Sequence, residues 1–164
     1  MSEASKITDE LFVKKIDKRF KTIFFIGLGL LSIIHIFYFI DIPKFMLFIT
    51  IFEIGLWTWF YMDCEMLQFR KYYIYCLLIS VVFLGYALFL KQNINFEVVD
   101  LVFGALFPLC FLLIHKSARL IFVFLLNREP VDEIPAQTVA DFVYMTVRPL
   151  GTIVSACVIF YLVK

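Results

Sequence analysis

The stretch Phe45-Met46-Leu47-Phe48-Ile49-Thr50-Ile51-Phe52-Glu53-Ile54-Gly55-Leu56-Trp57-Thr58-Trp59-Phe60-Tyr61-Met62 decides the fold. Its one charged side chain, Glu53, sits near the midpoint. As a helix the stretch rises roughly 27 Å, close to the hydrocarbon thickness of a thin bilayer. It reads as a membrane span carrying a carboxylate near the midplane. An ionisable group at that depth costs roughly 2.5–3.5 kcal/mol on insertion scales, so it must face protein or water and find a companion. Asp63, Glu65, Arg70 and Lys71 then mark the return to water.

The rest of the chain agrees with that solvent. Of 164 residues, 63% are apolar, against about 45–50% in a soluble domain. Several further windows are long enough to span, so the fold class is an all-α, polytopic integral membrane protein. A net charge of +1 gives no case for nucleic acid. Cys64, Cys76, Cys110 and Cys157 form no Cys-x-x-Cys pair, which argues against a disulfide framework or zinc site. They read as small apolar fillers.

Residues 1–21 are charged, and residues 8–21 are amphipathic. Phe12, Val13, Ile16 and Phe20 share one helical face, with Lys14, Lys15, Lys18 and Lys21 opposite. This segment is either an interfacial helix on an anionic leaflet or a basic flank that sets topology. The apolar run that follows is too long for a signal peptide, so the first span is retained. Span 1 is 22–40, span 2 is 45–62, and span 3 is 72–90 with an aromatic belt at Tyr72, Tyr73 and Tyr75. Residues 101–114 rise only about 21 Å. Span 4 must therefore extend back through 95–100, the preferred reading, or forward through 115–126, which otherwise continues as a helix to the inner surface. Pro108 is expected to kink it.

Residues 128–135 hold two prolines among charged residues and form a water-exposed turn. Thr138-x-x-Asp141 resembles a capping box that starts a short helix, and Arg148-Pro149 is expected to interrupt it. The run 150–163 crosses only if it joins the segment before it; otherwise it is re-entrant or lies on the surface. The expected divisions are thus 1–21, 22–126, 127–148 and 149–164, with four to five transmembrane helices.

Basic residues alternate with the spans. Lys6, Lys14, Lys15, Lys18, Arg19 and Lys21 precede span 1, and Lys44 follows it. Arg70 and Lys71 follow span 2, Lys91 follows span 3, and Lys116, Arg119, Arg128 and Arg148 come after span 4. The positive-inside rule then makes the amphipathic N-terminal helix and the 127–148 linker cytoplasmic. A bacterial inner membrane is the expected location.

Three constellations are candidates for function. Glu53 and His35 lie on spans joined by a tight turn, and could form a proton or cation relay or a pair that locks two helices. Asp41, Glu97 and Asp100 form an outer acidic vestibule or simply solvated loop charges. Lys14, Lys15, Lys18, Arg70, Lys71, Lys116, Arg119 and Arg128 could meet lipid headgroups or a soluble partner, near Asp63, Glu65 and His115. Gly27, Gly29, Gly151 and Ser155 suit close helix packing. No hydrolase, phosphate-binding or metalloprotease motif is found, so neither catalytic residues, a metal nor a cofactor is expected.

Glu53-Ile54-Gly55 in the second of four spans resembles small four-helix membrane families of the DoxX type. The segment after residue 115 departs from that pattern, and no residue role is carried over. The expected function is a non-enzymatic membrane subunit that self-associates, anchors a soluble cytoplasmic partner, or both. The alternative is a small ion channel or a proton- or cation-coupled transporter using Glu53. Either way lipid is the solvent. The purified chain should stay monodisperse in mild detergent and aggregate in plain buffer, as size-exclusion chromatography would report.

Overall fold

The computed structural model describes residues 3–93, 99–130 and 138–163, with side-chain surroundings for 12–92, 101–130 and 138–162. Five α-helices follow one another: α1 Glu3–Ile40, α2 Ile42–Met62, α3 Arg70–Asn93, α4 Val99–Leu126 and α5 Val139–Val163. A 3-10 turn, Cys64–Gln68, joins α2 to α3. All five helices are long and apolar enough to cross a membrane. Each carries large apolar side chains that point away from the protein, Phe25, Ile51, Val82, Phe124 and Val154 among them. In water such faces would drive aggregation; in hydrocarbon they are solvated.

The chain divides into two units, residues 1–49 and 50–164. In the first, α1 is one unbroken helix of 38 residues. The expected boundary at 21/22 falls inside it, because nothing between Lys18 and Ile26 breaks a helix. The basic segment is therefore collinear with span 1. Asp17 pairs with Lys21 at 2.5 Å, one turn apart. The turn between spans 1 and 2 shrinks to Asp41. Its Oδ1 accepts the backbone N–H of Lys44 at 3.1 Å, which caps α2 in place of a missing helical partner. The hydrogen bond from the Lys44 side chain also holds the Asp41 carboxyl below its ordinary range. Pro43 lies in the first turn of α2, where its absent N–H costs nothing.

In the second unit α4 is the hub, packing along both α3 and α5. Gly151 of α5 allows this closeness. A Cβ there would stand 3.1 Å from Ile114 Cγ2. Leu106, Cys110 and Ala156 form a buried cluster between α4 and α5, flanked by Leu84, Phe103, Phe107 and Phe160. As expected in either reading of the fourth span, the helix continues past residue 115: α4 runs without a break from Val99 to Leu126, with Pro108 inside it. The backward extension through 95–98 lies outside the described residues. Asn127 ends α4 in the left-handed region, φ 51°, a conformation asparagine tolerates better than most residues.

The expected break at Arg148-Pro149 is not seen. α5 is continuous from Val139 to Val163 with Pro149 inside it, so the boundary at 148/149 falls within a helix. Proline removes one N–H, and a helix packed along a neighbour can bear that loss. The start of α5 does follow the capping pattern: the Asp141 N–H donates to Thr138 Oγ1 at 3.3 Å. Arg128 then grips Asp141 with two hydrogen bonds of 3.1 and 3.0 Å and donates to Thr138 Oγ1 at 2.9 Å. Arg119 forms a second fork with Glu129, at 2.8 and 2.7 Å.

The Arg128 fork ties the end of α4 to the start of α5, and the Arg119 fork ties α4 to the residues just after it. The Asp141 side chain is fully buried and that of Arg128 is 39% exposed. Arg128→Ala should therefore destabilise by about 2 kcal/mol, less than the cost of breaking a fully buried pair; unfolding in mixed detergent micelles would measure it. The Arg119 hydrogen bond holds the Glu129 carboxyl below its ordinary range. That tether is complete above the ordinary carboxylate range and is lost as pH falls through the lowered value. Hydrogen-exchange protection at 127–129, taken relative to the intrinsic rate at each pH, should fall with acid in the native chain and show no such step in Glu129→Gln.

Candidate functional site

Glu53 stands on the face of α2 turned toward α4. It is 1% exposed, and among the described residues neither carboxyl oxygen has a hydrogen-bond partner. The carboxyl rests on Gly104, where a Cβ would lie 2.8 Å from Glu53 Cδ and closer still to Oε2. No other residue type leaves that space. Pro108, one turn on, has no N–H to give the Gly104 carbonyl, which loses its i+4 donor. A carboxyl and a carbonyl short of donors thus occupy one level of the bundle.

One turn along α2 from Glu53, Trp57 packs on Phe107 with ring centroids 5.9 Å apart. Its Nε1 is buried and has no acceptor among the described residues. A turn further, Tyr61 meets Phe111 at 5.9 Å. On the α3 side Phe52 meets Phe83 at 5.6 Å. From the acid toward the C-terminal end of α2, the face turned to α4 is thus lined with rings.

The column continues into a buried basic cluster. Arg148 is 2% exposed and lies over the rings of Tyr144 at 4.6 Å and Tyr61 at 5.9 Å. Its Nη1 is 3.4 Å from Nδ1 of His115, which stacks on Phe111 at 5.8 Å. Nε2 of His115 is buried with no partner among the described residues. Arg148 also supports its own helix, since its carbonyl accepts the Thr152 hydroxyl at 2.7 Å. The buried role of Arg148 escapes sequence reasoning because the proline behind it reads as a helix break. Helical spacing from Asp141 through Tyr144 to Arg148 and Thr152 was the available signal.

The other expected residues fall as follows. His35 belongs to the first unit, where it stacks on Tyr38 at 5.5 Å and meets Phe45 edge-on. Glu53 belongs to the second. Asp41 is engaged by Lys44 at 2.8 Å. Asp100 lies in α4, and Glu97 lies outside the described residues. Lys14, Lys15 and Lys18 are exposed along α1, and Arg70 and Lys71 are exposed at the start of α3. Lys116 sits 4.5 Å over the Tyr73 ring, and Arg119 and Arg128 hold the two forks. Gly27 and Ser155 are half-buried; Gly29 has open space at its Cβ position among the described residues. All four cysteines are free thiols.

No protein-family model, curated protein or solved structure matches the chain. Its reading rests on its own geometry. A methyl group at 104 meets the mobile end of a side chain, so Gly104→Ala should leave the fold intact and drive the Glu53 carboxyl out of its seat. Infrared difference spectra should show a shifted carboxyl band with an unfolding midpoint within about 1 kcal/mol of the native chain.

Proposed function

We propose that this protein is a small multi-pass membrane channel or transporter that carries protons or a cation, with Glu53 as the exchanging carboxylate. One observation carries the reading: a buried carboxyl with no hydrogen-bond partner among the described residues, in a helix apolar enough to cross a bilayer. An ionised carboxylate in that setting faces a desolvation penalty of several kcal/mol. It therefore trades one positive companion for another rather than standing bare, which is the elementary act of proton or cation coupling. The distribution of Lys and Arg supports a cytoplasmic N-terminus in a bacterial inner membrane. Catalysis has no part in this proposal.

A second reading, a non-enzymatic subunit that self-associates or anchors a soluble cytoplasmic partner, draws on the α4–α5 end. Beyond Lys116, which covers Tyr73, α4 continues for a further ~15 Å. That extension exposes Phe124 and Leu125, and the first turns of α5 expose Phe142 and Val143. Native mass spectrometry in mild detergent separates the readings: a lone monomer, with nothing co-purifying from the native host, counts against the subunit. For transport, Glu53→Gln in liposomes should lower cation-driven proton flux at least tenfold. Equal flux in both proteins, or none in either, removes the transport reading.

A further inference from the structure

We infer that the ligand of the Glu53 site is a lipophilic organic cation, a bulky amine or onium ion, which competes with the proton for the carboxylate. The inference rests on the transport reading and names its substrate class. A small metal cation wants several oxygens at short range. The described surroundings of Glu53 instead supply one carboxyl, one carbonyl short of a donor, and rings: Phe52 against Phe83 and Trp57 against Phe107. Aromatic faces attract a cation through their quadrupole, most strongly where water is absent, and quaternary ammonium groups are recognised in this way. The carboxylate supplies charge and the rings supply apolar contact. Only a ligand that is both apolar and positive uses both.

The packing supplies the way in. α4 lies backbone-close to α3 and α5, whereas α2 meets α4 through large side chains at Trp57–Phe107 and Tyr61–Phe111. Rings can swing to other rotamers without moving a helix axis, so the α2–α4 seam can open to a bulky apolar cation from the lipid side. At Gly104 the Glu53 carboxyl itself takes the space a side chain would fill, so a ligand meets the carboxylate when that flexible side chain swings into the seam.

The test uses tetraphenylphosphonium and the full-length protein in detergent, with binding read by equilibrium dialysis and by Trp57 emission in a Trp59→Phe background. Native protein should bind with an affinity that falls up to tenfold per pH unit on the acid side, as one proton displaces one cation. Binding should release a proton into weakly buffered solution. Glu53→Gln, nearly the same shape, should lose at least tenfold in affinity while keeping its elution profile and unfolding midpoint. Trp57→Ala should weaken binding at every pH and leave the pH slope in place. Absence of binding, or binding that ignores both pH and Glu53→Gln, overturns the inference. Proton flux driven by an inorganic cation gradient in liposomes then separates the two levels. Glu53-dependent flux without phosphonium binding rejects the organic cation and keeps transport; loss of both rejects the whole scheme.

Discussion

Hydrocarbon offers no hydrogen bonds, and for five helices long and apolar enough to cross a bilayer that constraint bears on every polar atom. Backbone groups are satisfied by drawing nearly all of the described residues into helices. Side chains have fewer options: they snorkel outward, pair, or are buried. Lys116 takes the first course over a tyrosine ring, and Arg128 with Asp141 the second. Glu53 follows the third, with Gly104 making room for it. A buried acid without a described partner is expensive, and in the proposed reading an exchange of companions offsets that cost.

The second unit is built so that one seam differs from the others. Along α3–α4–α5 small residues and a shared apolar cluster bring backbones together, with Gly151 against Ile114 and Cys110 beside Ala156. Two guanidinium–carboxylate forks then close the end of that assembly. Along α2 the spacing is set by indole and phenyl rings. Order and give are thus distributed by residue size. The acid lies on the side that gives.

Much of this was legible in the residues. Helical class, the number of long apolar segments and the singular position of Glu53 follow from hydropathy and from one charge in an apolar run. Thr138 and Asp141 announce the start of α5 because capping is local chemistry, readable within four residues. Tertiary context hid the rest. Pro149 reads as a stop in an isolated helix, but α5 packs along α4 and bears the lost bond, so Arg148 becomes buried instead of marking a loop. Gly104 carried no signal of its own. Its meaning depends on Glu53, far away in sequence, and no local pattern joins the two. His115 looked like one more charge at a membrane edge, yet it is buried beside a guanidinium.

The unbroken length of α1 has a mechanical consequence. Thirty-eight residues rise roughly 57 Å, and a bilayer interior takes up only about 30 Å of that. The surplus of about 27 Å is a stiff arm, collinear with its span. Tilting that span by about 20°, an ordinary inclination for a membrane helix, sweeps the arm's tip sideways by roughly 9 Å. In a bilayer, leaning of this helix would thereby become a sideways displacement of its lysine-bearing end.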